Sequence, residues 1–209
     1  MIVSQSGSDF KPIDAGTYAA VCVRLIDLGT QTSAFNGKQQ RKLLISWEVP
    51  DVTVDTKDDG PMPAMISASY TASLHEKATL RAVLKSWRGR DFTADELKGF
   101  DLKNVLGAPC LISVVHSDDG QYANVEAVMA LPRGMPKPKA THDLVHFDLD
   151  EFDDEVLETL SPKLQEKIKA SPEYRAATAG PEESFRGGAA GGFSGRETFA
   201  ADLDDEIPF

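Results

Sequence analysis

Phe35, Lys38, Arg41 and Lys42 fall close together in and after a polar stretch, Ser33-Ala34-Phe35-Asn36-Gly37. Cations track phosphates by charge and an aromatic face stacks a base. Side chains of these types in one loop suit single-stranded nucleic acid held without sequence preference. Phe35 has a second reading, as an apolar anchor for its own loop. Trp47, Tyr70 and Tyr122 are further aromatic candidates. Trp47 shares a strand face with Leu43 and Ile45, so core packing competes with stacking there; Tyr70 ends one predicted strand and Tyr122 begins another. Arg81, Lys85, Arg88 and Arg90 form a basic run on and after a predicted helix, read either as phosphate contacts or as a solvated helix face. Arg133, Lys137 and Lys139 alternate with Pro132, Pro136 and Pro138. That pattern puts cations on an extended connector, either closing over a bound strand or keeping the connector solvated.

Catalytic arrangements are not visible in the sequence. His142 and His146 stand four apart with Asp143 and Asp148 nearby, but a metal site needs a further committed ligand. The bland reading is a set of exposed polar residues beside a linker. The glycines of residues 187–192 follow no strand and precede no Lys-Ser/Thr pair, so they do not form a phosphate-cradling loop. No Gly-x-Ser-x-Gly elbow occurs. Cys22 and Cys110 sit in apolar runs without zinc-ligand spacing and read as buried thiols of a reducing compartment. The sequence therefore predicts a binding protein without catalytic residues, metal or cofactor.

A formal charge of −11 argues against nucleic acid only until its distribution is seen. Residues 1–139 hold 16 Lys and Arg against 16 Asp and Glu, whereas residues 140–209 hold 6 against 17. The front of the chain is thus free to carry a basic groove. No apolar run approaches the roughly 20 residues of a membrane helix. Met1-Ile2-Val3-Ser4-Gln5 has no basic stretch followed by an apolar one, so no leader is expected.

The elements that would position these residues read in order. Thr17–Leu28 is apolar and of strand length, and Lys42–Val49 alternates as a second strand expected to stop at Pro50. Met65–Tyr70 reads as a third strand. A helix follows from the recurrence of Leu74, Ala78, Leu80, Leu84 and Trp87, with Ser73 and Glu76 as a capping box; Thr93 and Glu96 repeat that signature for a short second turn. Residues 107–116 and 121–131 form two strands joined by Asp118-Asp119-Gly120, a hairpin signal. Three strands, a helix and two strands is the element order of the OB-fold. The prediction is accordingly mainly β: a five-stranded OB barrel with a helix between strands 3 and 4, in a domain spanning residues 1–139. Residues 140–175 are predicted as an acidic segment of short helices, interrupted at Ser161-Pro162. Residues 176–209 are too rich in Gly, Ala, Ser and charge to build a core and read as a disordered tether.

The tether ends in Asp202-Leu203-Asp204-Asp205-Glu206-Ile207-Pro208-Phe209. This ending resembles the C-terminal tip of bacterial single-stranded DNA-binding proteins. The body from Phe10 to Leu131, with Ala15-Gly16-Thr17-Tyr18, Leu25-Ile26-Asp27-Leu28-Gly29 and Trp87-Arg88-Gly89-Arg90-Asp91-Phe92-Thr93, resembles phage-encoded OB-fold members of that kind. The resemblance implies binding and protection of single-stranded DNA during phage replication or recombination, in the cytoplasm of the infected bacterium. It also implies that Asp202, Asp204, Asp205, Glu206, Ile207, Pro208 and Phe209 recruit host or phage enzymes. The alternative is an interaction protein that sequesters such enzymes through the tip without coating DNA. The helical segment departs from the bacterial plan, with oligomerisation and cover of the groove as its two readings.

Overall fold

The computed structural model describes residues 12–33, 36–56 and 60–179. The chain divides after Thr178, and every described helix and strand belongs to the first unit. Its long strands are β1 (Gly16–Thr32), β2 (Gln39–Thr56), β3 (Gly60–Thr71), β4 (Pro109–His116) and β5 (Ala123–Met129), with helix α1 (Thr79–Arg88) between β3 and β4 in the chain. They pair antiparallel in the order β3-β2-β1-β4-β5. A short sixth strand, β6 (Val145–Phe147), adds parallel to Arg24–Ile26 of β1. Among the described residues no ladder joins β3 to β5, so this mainly β sheet is open, although β3 and β5 approach each other and α1 packs on both.

β1 is the strand the others share. Gly16–Val21 pairs with β4 and Val21–Thr32 pairs with β2, with register shifts at Cys22/Arg24 and at Asp27/Gly29. Its run Val21-Cys22-Val23-Arg24-Leu25-Ile26-Asp27-Leu28 is apolar nearly throughout because both of its faces are covered. Cys22 and Leu25 enter one core with Leu43, Ile45, Trp47, Leu84 and Ile112, while Ile26 and Leu28 enter another with Phe147, Leu149, Leu157, Leu160 and Ile168. Each such side chain, once buried, contributes about 1.5–3 kcal/mol.

The first core is the one the sequence predicts. Leu80, Leu84 and Trp87 recur on one face of α1, and Trp87 donates its indole N–H to the Pro109 carbonyl at 3.1 Å. The helix begins later than its Ser73/Glu76 signature suggests. Ser73 Oγ accepts from His75 N in a local turn, and the N-cap is Ala78, without a side-chain bond. The Thr93/Glu96 signature is realised in both directions: Thr93 N donates to Glu96 Oε2 at 2.9 Å and Glu96 N to Thr93 Oγ1 at 3.2 Å.

β2 does not stop at Pro50. The β2–β3 ladder skips from Val49 to Thr53, so the residue that lacks an N–H falls in an irregularity where no ladder donor is required. The second core is built by β6 and by α2 (Asp154–Thr159), α3 (Pro162–Lys169) and α4 (Pro172–Thr178), of which the break at Ser161-Pro162 is as expected and α4 was not. These elements lie on the outer face of β1 and Leu44 of β2, in the same unit as the sheet, and not as a separate body.

Candidate nucleic-acid interface

The candidate contacts separate into those that the fold uses internally, those it leaves without an acid partner, and Phe35, which lies outside the described residues. Trp47 is fully buried, 6.5 Å edge-on from Tyr70 and 5.9 Å from Trp87 between ring centroids. Tyr70 is buried beside it, and desolvation pushes its phenol up to about 12. Neither ring offers a face to a base. Both are core residues and not stacking residues, because alternation along β2 and β3 directs them inward.

Three arginines are taken by carboxylates. Arg41 Nη2 lies 2.5 Å from Asp27, 3.1 Å from Asp150 and 3.7 Å from Asp148. The Asp27 hydrogen bond is the largest influence raising the guanidinium pKa further, against burial. Arg41 thus pins the segment after β6 to the β1–β2 ladder, and the 370 Å³ cavity beside it is lined by Asp27, Asp101, Asp148 and Asp150 together with Arg41 and His146. Arg88 pairs with Glu96 and lies between two rings, 4.5 Å from the Phe92 centroid and 4.6 Å from that of Phe100. Arg90 holds the same carboxylate at 2.8 Å. Arg90 and the Thr93 N–H hold Glu96 down at about 2, and Lys85, at 2.7 Å, with the Phe92 N–H does the same for Asp91. The basic run of α1 is therefore one side of an ion-pair network closing the loop after the helix.

The candidates without an acid partner among the described residues sit elsewhere. Lys38 is exposed in the β1–β2 hairpin, where Ser33 N bonds the Lys38 carbonyl at 2.9 Å. Lys42 donates to Thr71 Oγ1 at 2.7 Å and has no acid partner among the described residues. Tyr122 stands 62% exposed at the β4–β5 hairpin. Ser117 shapes that hairpin: its N bonds the Tyr122 carbonyl at 2.9 Å and its Oγ accepts from Tyr122 N at 3.1 Å. Arg133, Lys137 and Lys139 are exposed along the connector. Phe35 and the tip residues 202–209 lie outside the described residues.

Two residues outside the candidate contacts anchor the connector and border it. Glu48, fully buried, accepts from Thr141 N at 2.9 Å and from His142 N at 2.8 Å, with His142 Nδ1 at 2.7 Å. His142 is thereby a strut, and no group of three metal-ligating side chains occurs among the described residues. Arg24 borders a groove of about 860 Å³ with His142, Leu144 and His146, and its Nε is buried without a hydrogen-bond partner. Asp143, Asp153 and Glu155 line the same groove and offset its charge. Cys22 and Cys110 are free, buried thiols, and desolvation raises both, Cys22 to about 12.

No protein-family model, curated protein or solved structure matches the chain.

Proposed function

We propose that this protein binds single-stranded DNA without sequence preference, through an OB-type barrel formed by β1–β5 and α1. Its C-terminal tip recruits partner enzymes, in phage replication or recombination within the bacterial cytoplasm. Support for the barrel comes from the antiparallel order β3-β2-β1-β4-β5, from β1 shared between β2 and β4, and from α1 packed where β3 and β5 approach. OB-folds bind oligonucleotides on the β2–β3 face, between the β1–β2 and β4–β5 loops. The observation that carries the reading is the distribution of free groups: Lys38 in the first of these loops and Tyr122 in the second are exposed, while the basic run of α1 is matched by acids.

Fluorescence titration with oligo-dT at two salt concentrations tests the reading. Binding that weakens steeply as salt rises is expected, since cations on phosphates release counterions. Absence of salt-sensitive binding at micromolar protein would overturn it. The second reading, capture of host enzymes by the tip without DNA coating, is favoured by the withdrawal of Trp47, Tyr70, Arg41, Arg88 and Arg90 into cores and ion pairs. It predicts that negative titration together with retained enzyme binding.

A further inference from the structure

The segment after the connector is not uniformly acidic. Residues 143–158 carry eight Asp and Glu and no Lys or Arg, whereas residues 163–175 carry Lys163, Lys167, Lys169 and Arg175 against Glu166 and Glu173. All four cations are exposed, and none has an acid partner among the described residues. Glu173 is turned inward, accepting from Thr30 N at 2.8 Å, so its charge is spent on the end of β1.

The packing of α3 and α4 fixes where these cations lie relative to the sheet. Gln31 donates its side-chain N–H to the Lys167 carbonyl at 2.9 Å. Ser171 is fully buried, and a Cβ on Gly29 would stand 2.5 Å from it. Gln31 is opposite Gln40 in the ladder, and Thr32 is opposite Gln39. Lys38 is therefore two residues from the position that faces Gln31, about 7 Å along the strand. The junction of α3 and α4 thus borders the stem of the β1–β2 hairpin, one of the two loops assigned to the strand.

We propose that α3 and α4 extend the DNA interface, with Lys167, Lys169 and Arg175 taking phosphates of a strand that leaves the β1–β2 hairpin at Lys38. The extension rests on the single-strand reading of the barrel. It gives the helical segment a role in holding DNA, and it separates the cations of α3 and α4 from the acidic residues, Asp148 and Asp150, that are clamped to Arg41.

Lysine acetylation of the full-length protein, with and without saturating oligo-dT and read by mass spectrometry, tests it directly. Lys38, Lys167 and Lys169 are each expected to lose reactivity several-fold on binding. Protection of Lys38 with Lys167 and Lys169 as reactive as before would overturn the extension and leave the barrel reading standing. Oligo-dT that does not bind removes both. The exposed triple variant Lys167→Gln, Lys169→Gln, Arg175→Gln gives a second readout. Three lost contacts lower the slope of log affinity on log salt by about 2 and weaken binding at least about tenfold at low salt. An unchanged slope contradicts the proposal.

Discussion

Glu48 shows what a single residue does for this fold. Its carboxylate is buried under the connector, where burial opposes the charge; the N–H groups of His142 and Thr141 and the His142 imidazole outweigh that and hold its pKa below the ordinary carboxylate value. A folded value below the unfolded one means that the stabilisation is complete above the unfolded value and is lost as pH falls through the folded one. Glu48→Gln should cost about 1.5–3 kcal/mol at neutral pH, and its difference from wild type should narrow below about pH 4. Urea unfolding at several pH values reads both; a pH-independent difference would contradict the assignment. Strand alternation makes Trp47 legible as core and would send Glu48 to solvent. The connector that covers Glu48 arrives 93 residues later, and no local pattern announces it. The same limit hid the partners of Arg88 and Arg41, which lie 8 and 14 residues away in the chain.

At the scale of elements, periodicity revealed those that bury one face in the first core. It was less informative where a rule was overridden from outside. Pro50 would end a strand, but a ladder irregularity absorbs it, so β2 runs seven residues beyond the expected Val49. β6 has three residues, too few to show a period, and α4 begins at Pro172 inside what composition assigns mostly to a short helical tail and tether. Both depend on β1 for their place. Gly29 tests that dependence: its φ is +65°, and an added Cβ would meet Ser171 at 2.5 Å. Gly29→Ala should destabilise by at least about 1–2 kcal/mol from backbone conformation alone. It should also raise hydrogen exchange in α3 and α4 more than in β4 and β5. Uniform acceleration across the sheet would contradict independent docking of these helices.

For the molecule as a whole, charge is arranged by region. The first 139 residues are neutral in sum, and most of the excess acid lies on α2, on the segment held by Arg41 and in residues beyond the described ones. On the proposed reading, the acidic tip would compete with DNA for cations while offering Ile207-Pro208-Phe209 to partners, a competition that salt would screen. Removal of residues 202–209 should leave oligo-dT affinity equal or higher and abolish capture of replication and repair enzymes. Lower affinity in the truncated chain would contradict this arrangement. Oligo-dT titration of Tyr122→Ala beside wild type, at one low salt concentration, tests most directly whether the hairpin ends hold a single strand. A stacked base contributes about 1–3 kcal/mol, so the variant should bind about 5- to 150-fold more weakly. Equal affinities, with wild type binding, would show that the strand is not held at Tyr122.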